Sequence, residues 1–221
     1  MLYKNRKAAG QILAKELAAY ANRQDVLVLA LPRGGVPVAF EVAKALNAPL
    51  DVFVVRKLGV PEQQELAMGA IASGGVRVLN EDIVRSLGIS EAAINQVVAK
   101  EQQELERRER LYRGDRPVPS LHERTVILVD DGLATGATMR AAVVALQQQK
   151  PAKIIVAVPV SASETCQEFQ SKVDEVVCAA TPSPFYSVGL WYEDFPQTTD
   201  EEVRVLLDKA ANSQKTTAIG A

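Results

Sequence analysis

Residues 126–139, VILVDDGLATGATM, set two adjacent carboxylates, Asp130 and Asp131, directly before a run of small residues. Paired acids at the end of an apolar run can hold polyol hydroxyls or a metal ion. The next residues, Gly132, Leu133, Ala134, Thr135, Gly136, Ala137 and Thr138, let backbone N–H groups converge on an anion at the start of a helix. A phosphate monoester suits that position. The helix dipole favours its charge by roughly 0.3–1 kcal/mol, and Thr135 and Thr138 add hydroxyl donors. Sugar hydroxyls on the aspartates with a phosphate on the loop describe a ribose 5-phosphate. An ordinary Asp-rich turn between strand and helix is the plainer alternative.

The elements that position these groups follow from hydrophobic patterning. The apolar run 126–129 predicts a strand buried on both faces, and a helix follows to about residue 149. A second strand-loop-helix unit lies upstream: VLVLAL (26–31) predicts a strand, Pro32-Arg33-Gly34-Gly35 breaks it, and a helix covers 36–46. Adjacent glycines after an arginine let backbone approach a ligand while the guanidinium offers a fork to phosphate oxygens. A βα turn that simply needs glycine is the other reading.

The order of apolar strand, two acids, three residues and then Thr-Gly-x-Thr resembles the 5-phosphoribosyl 1-pyrophosphate (PRPP) loop of the type I phosphoribosyltransferases. The resemblance spans roughly the whole chain and is most specific in this loop. It implies displacement of pyrophosphate from PRPP by a nitrogenous base, with Mg²⁺ bridging pyrophosphate and ribose oxygens and Asp130 and Asp131 binding the ribose directly or through that ion. It also implies that Arg33, Gly34 and Gly35 bind pyrophosphate, in a loop that often holds a non-proline cis peptide in this family. Arg56 and Lys57 would neutralise the leaving group, and a flexible loop would close over the substrates to keep water from an oxocarbenium-like transition state. Two departures narrow the reading. Ala134 stands where 6-oxopurine transferases carry an aspartate, so DDGLATGATM looks more like the adenine-type loop, in which a glutamate of the flexible loop serves the base. Glu65, better placed than Glu62, is the candidate for that role. A long helical insertion, however, does not match the compact hood of adenine enzymes. The alternative to an enzyme is a PRPP- or nucleotide-sensing protein with little or no turnover. A third possibility, the metal-binding strand of a P-loop ATPase, fails because the chain has no G-x-x-x-x-G-K-S/T; nor has it G-x-G-x-x-G for a dinucleotide.

Around these motifs the remaining text predicts an α/β domain over 1–211, with a mostly parallel central sheet, helices on both faces, a helical hood over about 73–120, and a weakly structured tail at 212–221. Residues 5–20 carry Ala9, Ile12, Leu13 and Leu17 at helical spacing. Strands are expected at 51–55, 153–158 and 175–180, a mobile polar loop at 60–65, and a hairpin turning on Gly74-Gly75. Asn80 and Ser90 cap two helices, the second running to about Tyr112 with a thin apolar stripe of Ile94, Val97, Val98, Leu105 and Tyr112. A short helix covers 161–169, and Thr199 to Glu202 forms a capping box for a last helix ending near 211. The segment 183–195 is aromatic; Trp191 and Tyr192 are candidates to stack on a base and Asp194 to accept from its exocyclic amine, although core packing explains aromatics equally well.

Composition bounds the function classes. The chain has 221 residues, 48% hydrophobic and 24% charged, enough for one good core. With 25 basic and 27 acidic residues and no basic block, nucleic acid is disfavoured as a partner. No apolar run suggests a signal peptide or membrane span. Cys166 and Cys178 have neither metal-ligand spacing nor companions for a disulfide framework, so they read as small core residues with reduced thiols in a cytoplasmic protein, expected as a homodimer. The single histidine, His122, reads as a surface residue.

Overall fold

A computed structural model describes residues 1–219, with side chains to residue 214. The elements run α1 (Arg6–Glu16), a 3-10 turn (Ala18–Tyr20), β1 (Val26–Ala30), α2 (Gly35–Leu46), β2 (Leu50–Val52), β3 (Val55–Val60), β4 (Gln63–Ala72) and β5 (Val76–Leu79). They continue with α3 (Glu81–Ser86), α4 (Glu91–Arg113), β6 (Thr125–Val129), α5 (Ala137–Gln148), β7 (Lys153–Val160), α6 (Ser163–Gln170), β8 (Glu175–Ala180), a second 3-10 turn (Val188–Trp191) and α7 (Asp200–Ile219).

Five strands form a wholly parallel sheet in the order β2-β1-β6-β7-β8. β1 and β6 are buried at every position because both faces are covered. Alternation along β1 and β6 sends Val26, Val28, Ala30, Ile127 and Val129 toward α1, α2 and α7. Leu27, Leu29, Val126 and Leu128 pack instead with Met139, Ala142, Val143 and Leu146 of α5 and Phe169 of α6. Chain order reverses between β1 and β6: β1 leads through α2 to one edge, and β6 leads through α5 to the other. A crevice therefore opens at their carboxyl ends, the usual ligand position in such sheets.

A separate antiparallel sheet, β3-β4-β5, leaves the end of β2, and α4 packs on β3, on β2 and on α7. The caps fall where polar side chains stand before helical patterns. Asn80 accepts from the Ile83 amide at 3.3 Å and Ser90 from the Ala93 amide at 3.2 Å, while Thr199 and Glu202 bond each other's amides at 2.7 and 3.1 Å. Hairpin formation around Gly74 and Gly75, both at positive φ, also agrees with the sequence.

Several expectations are corrected. The stretch 60–65 is no loop: β3 and β4 pair across a tight turn at Pro61-Glu62, with Val60 opposite Gln63. Its polar text arises because residues 62–66 of this arm are exposed, so no buried face imposes a period. The predicted strand 51–55 is two strands, with Phe53 and Val54 between them turning the chain from the parallel sheet into the hairpin. Ile12 is 40% exposed and lies off the buried face of α1, which is made by Ala9, Gly10, Leu13 and Ala14. The last helix does not end near 211, and the expected weak tail continues α7 to Ile219; residues 220 and 221 lie outside those described. Finally, Cys166 and Cys178 are not free thiols but form a disulfide, with Cα atoms 6.6 Å apart, joining α6 to β8. The pairing is invisible in sequence because helix and edge strand meet only in the fold.

Candidate active site

The acid pair and its loop sit at the end of β6. Leu133 is turned inward and its backbone is used up: its N–H donates to Val160 O at 2.9 Å and its carbonyl accepts from the Ala162 amide at 3.0 Å. Beyond it the loop is held by its carbonyls. Thr165 Oγ1 donates to Ala134 O at 2.6 Å, and an Arg140 terminal nitrogen donates to Thr135 O at 2.6 Å while its other one pairs with Glu168 at 2.8 Å. Gly136 caps α5 at φ 70°, pressed so closely on α6 that a Cβ there would lie 2.9 Å from Phe169 Cε2. With the carbonyls engaged, the amides of Ala134, Thr135, Gly136, Ala137 and Thr138 meet no protein acceptor among the described residues. Free amides at a helix N-terminus form a nest for an anion.

Asp130 and Asp131 adjoin this nest. Burial, and then the neighbouring Asp131 charge, push the Asp130 carboxyl well above the usual carboxylate range. Burial also raises Asp131, but Arg6 Nε, 2.8 Å from Oδ2, draws it back. The loop after β1 closes on the pair. A Cβ at Gly34 would stand 2.1 Å from Asp131 Oδ2, so only glycine permits this approach. The peptide Pro32–Arg33 is cis. The side chain of Arg33 leans toward Asp200, 3.8 Å away, whose carboxylate also accepts from the Tyr112 hydroxyl at 2.6 Å.

Other candidates lie elsewhere or do other work. Arg56 is bound to Glu101 of α4 at 2.8 and 2.5 Å, and exposed Lys57 lies 3.3 Å from Glu65. These four line a pocket of about 320 Å³ between the hairpin and α4, and none of Arg56, Lys57 or Glu65 bonds the acid pair or phosphate loop among the described residues. Tyr192 is 2% exposed, and its hydroxyl donates to Asp131 O at 2.6 Å. Its ring lies between Tyr3 and Phe195 at 5.5 and 4.7 Å, so it is a prop for the acid pair and not a free platform for a base. Trp191 stacks on Phe185 at 6.1 Å, Asp194 is exposed, and His122 is an exposed residue as expected.

Sequence reading missed Arg6, Arg140 and Thr165. Arg6 and Thr165 belong to helices remote in sequence from the groups they hold, whereas Arg140 lies one turn into α5 and reaches back five residues to Thr135. The signal available was weak: one polar residue per helix aimed toward the carboxyl ends of the strands.

Parallel sheet, acid pair and amide nest thus meet at a topological switch point, where an open α/β sheet takes its ligand. Residues 1–186 match the phosphoribosyl transferase domain family. Two Mycobacterium tuberculosis proteins, from strains H37Rv and CDC 1551 and provisionally named phosphoribosyl transferases, are each 51% identical over 210 residues, 95% of this chain. The chain spans 47% of the length of these relatives. A crystal structure of a Thermus thermophilus protein is 40% identical and superposes with a TM-score of 0.84, covering 95% of this chain and 99% of that one. The chain belongs to the type I phosphoribosyltransferase family.

Among the described residues no helix is long and apolar enough to cross a membrane, and no group of three or more His, Cys, Asp or Glu side chains is gathered for a metal.

Proposed function

We propose that the chain transfers the 5-phosphoribosyl group of PRPP to a nitrogenous base with release of pyrophosphate. The observation that carries this reading is the row of five free amides beside the acid pair, closed from the other side by the Gly34 backbone. The nest takes the 5-phosphate, Asp130 and Asp131 take the ribose hydroxyls, and Arg33 reaches for pyrophosphate. The carboxylates also favour the positive charge that grows on the ribose ring as pyrophosphate departs. A purine-like base is favoured by the adenine-type loop with Ala134, and Glu65 is the group proposed to serve it. Two carboxylates are too few for a dedicated metal cage but fit Mg²⁺, which keeps waters and takes its other ligands from substrate phosphates. When bound, it supplies charge for the pyrophosphate oxygens.

A second reading is a PRPP or nucleotide sensor with little turnover, favoured by the pairing of Arg56 with Glu101, which occupies a cation the reaction needs. Incubation with PRPP, Mg²⁺ and a panel of bases, followed by pyrophosphate release, separates the two. The enzyme releases pyrophosphate with at least one base and loses the activity in Asp131→Asn. Saturable PRPP binding without release across the panel would establish the sensor.

A further inference from the structure

We infer that Arg6, the first residue of α1, is the positioning residue of the acid pair, fixing one oxygen of Asp131 so that the other is presented to the sugar hydroxyls. The inference rests on the PRPP reading above and adds to it a residue outside the phosphate loop and the pyrophosphate loop. Arg6 Nε donates to Asp131 Oδ2 at 2.8 Å, with the two side chains 11% and 15% exposed. No hydrogen bond from another residue reaches Asp131 Oδ1 among the described residues, so that oxygen keeps lone pairs for a ligand.

Arg6 is itself held on two further sides. Its Nη1 donates to Pro196 O at 2.6 Å, and the guanidinium lies over the Phe195 ring, 3.7 Å from its centre. Phe195 packs on Tyr192, whose hydroxyl bonds the Asp131 carbonyl, so backbone and carboxylate of one aspartate are gripped through a single aromatic unit. Asn5 caps α1 by accepting from the Ala8 amide at 3.0 Å, which fixes where Arg6 leaves the helix. Charged and titratable groups facing Asp131 are Asp130 on the same strand end, Arg6 from α1, and Tyr192 from the aromatic segment. Arg6 is the cation among them. Lysine could pair with Asp131, but it cannot bond Asp131 and Pro196 while lying flat on Phe195.

The test titrates the intact chain calorimetrically with ribose 5-phosphate and, separately, with inorganic phosphate, in Mg²⁺ buffer. The variants are Arg6→Met, Arg6→Lys, Asp131→Asn and the double variant Arg6→Met with Asp131→Asn. Loss of one charge-assisted hydrogen bond predicts about tenfold weaker ribose 5-phosphate binding in R6M, with phosphate binding at the amide nest unchanged. R6K falls between R6M and wild type, and the double variant binds no more weakly than D131N alone, since Arg6 acts through Asp131. Unchanged sugar-phosphate affinity in R6M, or multiplying effects in the double variant, would overturn the inference. So would an equal loss for both ligands, which marks a merely structural role. If R6M does not fold, R6K carries the same comparison between ligands. A wild-type chain that binds phosphate but not ribose 5-phosphate more tightly would sink the PRPP reading and this inference together.

Discussion

The phosphate loop and the β3–β4 hairpin would supply the two ends of a PRPP site, yet they are built in opposite ways. In the loop, the carbonyls of Ala134 and Thr135 are tied by Thr165 and Arg140, Leu133 is bridged to the chain after β7, and Gly136 is wedged against Phe169. What is left over is a row of amides already in place. In the hairpin, the arm at 62–66 is exposed, and the cations Arg56 and Lys57 are each engaged with a carboxylate of their own neighbourhood. On the proposed function the loop takes an anion without rearranging, whereas the hairpin exchanges partners before it touches one. This difference suits a lid: preorganisation where charge is always bound, exchange where water must be shut out.

The Cys166–Cys178 disulfide ties α6, which grips the loop through Thr165 and Glu168, to β8, closing 12 residues of chain. Loop-closure entropy predicts that Cys166→Ser lowers unfolding stability by about 3 kcal/mol, measured by urea denaturation. A loss below about 1 kcal/mol would show that the bond does not brace the fold. Next, Gly34→Ala drives a methyl into Asp131 Oδ2, and a displacement of that order costs about 100-fold in turnover. Arg56→Gln in the hairpin, which removes a charge that already has a partner, costs about tenfold, and leaves ribose 5-phosphate affinity intact. Equal losses from the two substitutions would erase the distinction between a formed and an exchanging half.

The smallest effect is on stability against pH. The folded-state carboxyl of Asp130 titrates above its unfolded value, so below the unfolded value both states hold the proton and nothing is gained or lost. As pH rises beyond it, the unfolded chain ionises more readily and stability falls. Asp130→Asn should therefore raise Tm near neutral pH, by about 2–4 °C for each kcal/mol recovered, with the gain shrinking toward zero as pH drops below about 4. Calorimetric scans at several pH values check it; a gain that persists at acid pH would mean that ionisation is not its source.

Much of the frame was legible in sequence because burial on both faces leaves a plain trace. VLVLAL and VILV are continuous apolar runs, and each is followed by glycine where the backbone passes close to a neighbouring residue. The two N-caps, the one capping box and the Gly74-Gly75 turn were legible because each is a local pattern. The exposed arm of the hairpin was not, since a strand with no buried face has no period to read, and its polar residues look like loop. Nor were contacts that only the tertiary fold creates: Arg6 with Asp131 across 125 positions, Tyr192 under the Asp131 carbonyl, and Cys166 beside Cys178. Tyr192 shows the difficulty most clearly, since an aromatic near a site can face the ligand or hold up the residue that does, and only its burial decides.

In the proposed function the amides after Leu133 hold the 5-phosphate of a phosphoribosyl group. Amide chemical shifts followed through a titration of the labelled chain with ribose 5-phosphate test it most directly. The largest shifts are expected at Ala134, Thr135, Gly136, Ala137 and Thr138, with the hairpin amides of residues 62–66 little changed. Saturating shifts centred on the hairpin, or none at all in the loop, would contradict it.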